Sequence, residues 1–234
     1  MTSIDPKILK EIQTIVLDFD MTLADTLPFF LKVMAENFAK NSEVEPLMSH
    51  GRSILASSLT ETEFNIKWKL VSMFRQVAQE QTGNSLSAWR LAYKIGKECN
   101  QRYAEVKPIP GAKEALQKLT QEGCHIILVS LSSKWKIDTF LEVNNVDPQI
   151  FKAILSKDSV GKKKIQAFKR IMTLYPAPPE SFAAMGDLPG DIIAARLNNI
   201  HGIGVLTGPA SESLLESAKP LAIFNSLKDF ANLY

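Results

Sequence analysis

Short apolar runs alternate with helix-length amphipathic segments along most of the chain. The runs lie at residues 15–19, 125–130, 151–155, 182–185, 202–206 and 221–224. They are rich in aliphatic residues and too short to form buried helices, so they predict buried strands. Because helical segments separate most of the runs, the pattern predicts a mostly parallel sheet that is covered by helices on both faces.

Residues 27–107 interrupt this alternation and show helical periodicity without a convincing strand. Apolar residues recur there at three- and four-residue intervals. The three stripes are Leu27, Phe30, Leu31, Met34 and Phe38; Phe64, Trp68, Val71, Phe74 and Ala78; and Leu86, Trp89, Tyr93, Gly96 and Tyr103. We interpret their aromatic residues as packing groups. The predicted organisation is an α/β, doubly wound, Rossmann-like core (residues 1–26 and 108–234) with an inserted all-α domain (residues 27–107).

The overall composition is that of an ordinary globular protein. A net charge of +2 gives no reason to expect binding to nucleic acid or to a membrane surface. No apolar segment approaches the length that crosses a membrane. Cys99 and Cys124 lie far apart, so we expect two buried thiols and not a metal or redox motif. We expect a cytoplasmic protein that is a monomer or a homodimer.

Acidic residues follow the first predicted strand directly. Asp18 and Asp20 stand two residues apart, and Thr22 comes two residues later. Residues two apart point to the same side of an extended chain, so the three side chains could converge beyond the strand. Two carboxylates this close repel each other unless a cation or a shared proton neutralises them. Because open α/β sheets bind ligands beyond the carboxyl ends of their strands, we interpret this stretch as a Mg²⁺ and phosphate site.

Three later segments supply the other groups that such a site needs. Ser130 ends the second run, where its hydroxyl could donate to a phosphoryl oxygen. The lysines at residues 162–164 begin a predicted helix and could neutralise negative charge. Asp187 and Asp191 flank a turn after the fourth run and offer the carboxylate oxygens that Mg²⁺ prefers. Each group alone also fits a cap, a solvated face or a turn, but their combination is specific.

The order of these groups resembles the haloacid dehalogenase superfamily, in particular its phosphoglycolate-phosphatase-like branch. An apolar strand followed by Asp-x-Asp-x-Thr, a strand ending in Ser, a lysine at a helix start and Gly-Asp-x-x-x-Asp match its four motifs in sequence order. The resemblance covers residues 15–23 and the chain from about residue 108 onward. Between the first two motifs the superfamily places a helical cap, which is the position of the predicted insert.

The resemblance implies a Mg²⁺-dependent phosphatase that hydrolyses a small phosphorylated metabolite through an aspartyl-phosphate. Asp18 would be the nucleophile, and Asp20 the general acid and then the general base. Asp18, Asp187 and the backbone carbonyl of Asp20 would hold the Mg²⁺. Asp191 would support these metal ligands or orient the lysine. Dehalogenases of the superfamily lack an acid at the position of Asp20, so its presence favours phosphate-ester hydrolysis or phosphoryl transfer.

The same resemblance assigns the expected phosphate contacts. Ser130 and one lysine would hold phosphoryl oxygens, with the backbone N–H of Leu131 as a further donor. Thr22 would support the loop beside the substrate. Among the three lysines, the spacing to the fourth motif favours Lys162, with Lys163 second, and the sequence leaves the choice open.

Other positions concern substrate specificity and departures from the family motifs. Arg52 and His50, in a stretch with a loop-like composition, are the candidate specificity residues of the cap. Met21 stands where many relatives have Gly, and Leu131 where they often have Asn.

A phosphotransferase of the same fold, or a regulatory protein that retains the site, is an alternative to a phosphatase. The sequence does not identify the ester.

Overall fold

The computed structural model describes residues 4–38, 44–63, 65–160 and 164–234, and within them six parallel strands form one sheet. The strands are β1 (Thr14–Asp18), β2 (His125–Val129), β3 (Phe151–Leu155), β4 (Phe182–Gly186), β5 (His201–Val205) and β6 (Ala222–Phe224). Their order in the sheet is β3-β2-β1-β4-β5-β6. Each strand lies on one of the predicted apolar runs, so the predicted parallel α/β architecture is confirmed.

Helices connect the strands and fill the insert. In chain order they are α1 (Pro6–Glu11), α2 (Thr26–Glu36), α3 (Val44–Ser58), α4 (Lys67–Thr82), α5 (Ser85–Gln101), α6 (Ala112–Gln121), α7 (Lys134–Val143), α8 (Lys157–Val160), α9 (Lys164–Leu174), α10 (Pro189–Arg196), α11 (Glu212–Ser217) and α12 (Leu227–Ala231). Throughout the described ranges, every helix is too short or too polar to cross a lipid bilayer.

The sheet is buried on both faces, as its near-continuous apolar strands require. On β1, Ile15 and Leu17 join an apolar cluster that includes side chains of α6, α7 and α12. Val16 points to the other face and joins a second cluster, with Phe168 and Ile171 of α9. This alternation follows from the two-residue period of a strand and makes β1 the centre of the core.

The insert consists, in its described part, of helices α2 to α5, which pack on one another. One of them, α3, was not predicted: its stretch contains Pro46 and Gly51 and has a loop-like composition, yet it forms a helix. Gly51 lies where α3 crosses α2, and a Cβ at this position would come within 2.8 Å of Met34 Cε and 2.9 Å of Leu31 Cδ2. The glycine therefore permits a close helix crossing and does not mark a loop.

The interpretation of the aromatic stripes as packing groups is wrong for the outer face of the insert. Trp68 and Tyr93 are each 77% exposed, and Trp89 is 51% exposed. Helix α5 buries its small face instead, including Ala88 and Ala92. Small residues let α4 and α5 approach closely, and the packed face of α5 lies about 100° around the helix from Trp89 and Tyr93. Phe64 lies outside the described residues.

The two segments that join the insert to the core run side by side. The N–H of Asp25 donates to the carbonyl of Lys107 at 2.8 Å, and the N–H of Ile109 donates to the carbonyl of Leu23 at 2.9 Å. An isolated antiparallel bridge links Ala24 and Pro108. Both crossings between core and insert therefore lie close to the loop that carries Asp20. Domain limits at residues 26/27 and 107/108 stay a prediction.

Candidate active site

The strand order places the predicted acidic residues at one point of the sheet. Strand β1 lies between β2 and β4: the connection after β1 leads to β2 on one side, and the connection after β4 leads to β5 toward the opposite edge. A crevice forms at such a switch point, outside the carboxyl ends of the strands. Asp18 is the last residue of β1, Ser130 follows β2 and Asp187 follows β4. The topology therefore gathers residues that are far apart in the chain.

Three carboxylates meet in this crevice. Asp18, Asp187 and Asp191 each offer an oxygen, and these oxygens all lie within 4.8 Å of one another. The three residues are 8%, 2% and 2% exposed, respectively. Buried carboxylates need partners or a cation, because burial disfavours their charged form. This cluster is therefore a candidate metal site.

Lys164, at the start of α9, is the cation that the structure places against these acids. Its Nζ lies 2.8 Å from Asp18 Oδ1 and also forms a close ion pair with Asp191 Oδ1. The second oxygen of Asp191 accepts a hydrogen bond from the N–H of Leu188 at 3.3 Å. Asp191 thus has both oxygens engaged by protein donors. Lys162, which the spacing favoured, and Lys163 lie outside the described residues.

The site holds more negative than positive charge. Burial raises the pKa of Asp18 to about 7, and Asp191 and Asp20 add to this rise while Lys164 opposes it. Burial, with Asp18 and Asp191 adding to it, also raises the pKa of Asp187 well above its ordinary value. For Lys164, burial lowers the pKa, but Asp18 and Asp191 outweigh burial and raise it. When all of these groups are charged, three carboxylates and one ammonium leave a formal charge of −2.

Two glycines let the acids sit this deeply. A Cβ at Gly186 would lie 2.6 Å from Asp191 Cβ, and a Cβ at Gly208 would lie 2.6 Å from Asp187 Cβ. Real Cβ atoms do not tolerate such approaches, so any other residue would displace the carboxylate. Gly186 belongs to the fourth motif, whereas the need for Gly208 is visible only in the folded structure.

Asp20 lies beside the buried cluster and is held by a hydroxyl that the sequence pattern did not single out. The Oγ of Ser132 donates to Asp20 Oδ2 at 2.6 Å. The N–H of Ser132 in turn donates to the Oγ of Ser130 at 2.9 Å. Ser130 is fully buried, and Leu131 between them is half-buried. The sequence motif marks only Ser130 in this stretch, whereas the structure pairs Ser132 with the acid.

The loop after β1 is tight and carries one strained residue. Met21 has φ of 60° in the left-handed region, where glycine is favoured, and its side chain is buried. The N–H of Met21 donates to the carbonyl of Ala24 at 2.7 Å, and the Oγ1 of Thr207 donates to the carbonyl of Met21. Thr22 is fully buried, and its Oγ1 has no partner among the described residues. The hydroxyl that holds this loop is therefore that of Thr207 and not that of Thr22.

The insert covers the site from one side through the segment between α3 and α4. The N–H of Gly190 donates to the carbonyl of Glu63 at 2.8 Å, and Leu59 packs against the apolar cluster around Ile192. The Glu63 carboxylate pairs with Lys69 at 2.9 Å. A loop of the insert thus sits on the turn that carries the fourth motif, which makes the insert a cap over the crevice.

The two candidate specificity residues of the cap fall in different places. Arg52 is an exposed residue of α3, and its charge acts on Asp25 in the connecting segment, where it opposes a rise in the pKa of that carboxyl caused by burial. His50 Nε2 lies 2.7 Å from Glu80 Oε2, between two exposed side chains of α3 and α4. His50 is therefore committed to a surface pair.

Comparisons with known proteins agree with this arrangement. A sequence profile of haloacid dehalogenase-like hydrolases matches residues 15–205. This span contains all four motifs and most of the chain, and we conclude that the protein belongs to the haloacid dehalogenase-like hydrolase family.

Individual relatives are distant. Glyceraldehyde 3-phosphate phosphatase from Pyrococcus furiosus is 24% identical over 222 residues, which cover 89% of this chain and 86% of that protein. Among solved structures, a protein from Haemophilus somnus described as a predicted phosphoglycolate phosphatase superposes with a TM-score of 0.72 at 17% identity, covering 95% of this chain and 98% of that one. A dehalogenase superposes with a TM-score of 0.66 at 18% identity, covering 95% and 97%. At these identities the structural likeness establishes the fold alone.

Proposed function

We propose that this protein is a Mg²⁺-dependent phosphatase that hydrolyses a small phosphorylated metabolite through an aspartyl-phosphate on Asp18. The observation that carries the proposal is the buried cluster of Asp18, Asp187 and Asp191 around Lys164 at the switch point of the sheet. A dehalogenase of this fold would not need the acid at position 20, which is present here and held by Ser132.

The donor set fits a divalent cation of the Mg²⁺ type. The carboxylates are hard oxygen ligands, and the excess formal charge of the cluster has the magnitude and sign that a divalent ion neutralises. Because Asp191 is engaged by Lys164 and Leu188, we assign the metal to Asp18, Asp187 and the carbonyl of Asp20. When bound, Mg²⁺ would favour the ionised acids and polarise a phosphoryl oxygen.

The residues divide the reaction into two displacements. A carboxylate oxygen of Asp18 attacks phosphorus, and the bond from phosphorus to the ester oxygen breaks. The leaving oxygen takes a proton from Asp20, which then removes a proton from the water that cleaves the aspartyl-phosphate. Lys164 stays protonated throughout, because two carboxylates raise its pKa, and it offers positive charge to the phosphoryl oxygens.

Ser132 and Ser130 support these steps from the adjacent strand end. The hydrogen bond from Ser132 fixes one oxygen of Asp20 and leaves the other free for proton transfer. Ser130 lies buried behind Ser132, where its hydroxyl proton remains available to a phosphoryl oxygen. The cap loop at Glu63 limits the entry of water and restricts the size of the ester. These contacts support a small phosphorylated metabolite as the substrate class.

The proposal is tested with a panel of small phosphate monoesters, assayed with Mg²⁺, with a chelator, and with Asp18→Asn. We expect hydrolysis that requires Mg²⁺ and falls by at least about a thousandfold in the variant, since an amide is not a comparable nucleophile. Hydrolysis that ignores the chelator or survives in Asp18→Asn would contradict the mechanism. Transfer of phosphate to a second alcohol in preference to water would favour the phosphotransferase.

A further inference from the structure

A half-buried lysine and a buried phenol lie near Asp20, and the reaction proposed above uses neither. Lys136 lies in the first turn of α7, in the core. Tyr103 lies in the short helical turn that ends the insert, between α5 and the connecting segment. The pair therefore spans the junction between core and cap.

Three aromatic rings surround the ammonium of Lys136. Its Nζ lies 4.8 Å from the centroid of Tyr103, 5.6 Å from that of Trp135 and 5.7 Å from that of Phe30. Across the described ranges, no carboxylate comes within ion-pair distance of this ammonium. Cation–π contacts offset part of the cost of partly burying a charge, but they supply no protein acceptor to the donors of the ammonium.

Tyr103 presents a second group without a partner. The residue is 1% exposed, and its hydroxyl has no hydrogen-bond partner in the part of the chain that the structure describes. A buried phenol normally finds a partner, because a hydroxyl that is buried without one loses the hydrogen bonds that it makes to water in the unfolded chain. An unpaired phenol beside an unpaired ammonium indicates that a ligand supplies the acceptor.

The contact between Ser132 and Asp20 indicates where this ligand would lie, because Ser132 precedes Lys136 by four residues in the segment that leads into α7. The Asp20 carboxylate also acts on both groups: burial raises the pKa of Tyr103 and Asp20 adds to the rise, whereas burial lowers the pKa of Lys136 and Asp20 opposes that change. In the proposed reaction Asp20 serves the leaving oxygen, while Asp187 and Lys164 serve the phosphoryl group. Groups on the Asp20 side therefore face the organic part of the ester.

We propose that Lys136 and Tyr103 form a subsite for the leaving group, and that it selects phosphate esters carrying a second anionic group, such as a carboxylate, beyond the bridging oxygen. This inference rests on the proposed phosphatase function and specifies its substrate class. A carboxylate accepts from the ammonium and from the phenol O–H at once, and it neutralises the half-buried charge. An aldehyde or alcohol of the same length accepts from the phenol but leaves the ammonium uncompensated.

The test compares esters that differ only at the far end. Phosphoglycolate and phosphoglycerate are assayed beside the alcohols of the same carbon chain, ethylene glycol phosphate and glycerol phosphate, with Mg²⁺ present. We expect the acids to have the higher kcat/KM. Lys136→Met should lower kcat/KM for the acids about 10- to 100-fold and change that for the alcohols less than about threefold, because only the acids lose a charged contact.

Matched variants separate recognition from folding. Lys134→Met removes an exposed lysine of the same helix, whose partner is Asp138 at 2.6 Å, and should leave the acid preference unchanged. Lys136→Arg keeps the charge and should retain most of the preference. Tyr103→Phe should reduce it by a smaller factor than Lys136→Met. Binding of phosphoglycolate to the Asp18→Asn protein, measured by calorimetry, should weaken in parallel with each change.

The outcomes distinguish this inference from the function on which it rests. Equal losses of kcat/KM for acids and alcohols in Lys136→Met, or no acid preference in the unmodified protein, would overturn the subsite. Hydrolysis of the alcohol esters in the same experiment would still support the phosphatase. Lack of hydrolysis of every ester, including para-nitrophenyl phosphate, would overturn both. An acid preference that disappears in Lys136→Met and persists in Lys134→Met supports the subsite.

Discussion

The crevice in the core and the cap above it differ in the groups that they place at the site. In the core, three buried carboxylates and one lysine lie within contact distance, and each comes from the end of a strand or the first turns of a helix. The cap reaches this cluster through a backbone carbonyl, that of Glu63, and exposes large aromatic side chains on its outer face. Chemistry is thus concentrated in rigid core elements.

This difference separates reactivity from selection. In the proposed mechanism, strand ends hold the reacting groups in place, so the same crevice would serve many esters. The groups that we propose to distinguish one ester from another lie at the junction, where Lys136 of the core meets Tyr103 of the cap's last turn. Changes in the core should therefore affect all substrates alike, whereas changes at the junction should affect some substrates more than others.

Lys164→Met, a change in the core, should reduce activity strongly and without regard to the ester. It removes the cation between Asp18 and Asp191 and leaves two buried carboxylates facing each other. We expect kcat to fall by roughly 100- to 1,000-fold for every ester, because charge stabilisation at the phosphoryl group is lost. The control is Lys169→Met, an exposed lysine of the same helix. A loss confined to one class of ester would break the distinction between core and junction.

Gly208→Ala and Gly96→Ala make the same chemical change, one in the core and one in the cap. The new Cβ at residue 208 would collide with the Asp187 carboxylate, whereas the one at residue 96 meets nothing within 4 Å. We expect Gly208→Ala to weaken Mg²⁺ binding about 10- to 100-fold, as measured by titration of activity. Gly96→Ala should leave Mg²⁺ binding unchanged and stabilise α5 by up to about 1 kcal/mol. Equal Mg²⁺ affinities in the two variants would contradict the role of Gly208.

The stability of the metal-free protein should fall as pH rises. The pKa of Asp18 is about 7 in the fold, above its value of 3.8 in a free chain, and that of Asp187 is raised in the same direction. At pH values between 3.8 and about 7, the folded protein holds protons that the unfolded chain has released. The free energy of unfolding therefore decreases as pH increases. We expect the melting temperature with chelator to drop by about 5 °C or more from about pH 5 to about pH 8.

Mg²⁺ provides the control for this pH effect. It should restore stability most at the higher pH, because it binds the ionised acids. A melting temperature that rises over the same pH interval in the metal-free protein would contradict the burial of uncompensated charge in the core.

Sequence reasoning predicted the sheet and the acids because both depend on local pattern. Aliphatic runs with charged ends predict buried strands, and parallel strands bring Asp18 and Asp187 to one edge of the sheet. The choice among three adjacent lysines could not be made in this way. Successive residues of a helix point about 100° apart, so a shift of two positions in the helix start decides whether Lys164 or Lys162 faces inward.

The cap was less predictable for a related reason. A helical stripe shows that a helix has two faces, but not which of them packs. On α5 the small residues Ala88 and Ala92 turn inward, while Trp89 and Tyr93 face outward. The pairing of Tyr103 with Lys136 and that of Ser132 with Asp20 depend on contacts between segments that no local pattern connects.

In the proposed mechanism the carboxylate of Asp18 carries the phosphoryl group. This role is tested most directly by quenching the protein during turnover, reducing the acyl phosphate with borohydride and sequencing the peptides by mass spectrometry. We expect conversion of the residue at position 18 to homoserine, dependent on substrate and Mg²⁺ and lost in Asp18→Asn. Modification at Asp20 or Asp187 instead, or hydrolysis of the ester without a modified aspartate both in the unmodified protein and in Asp20→Asn, where loss of the general base should make the intermediate accumulate, would contradict it.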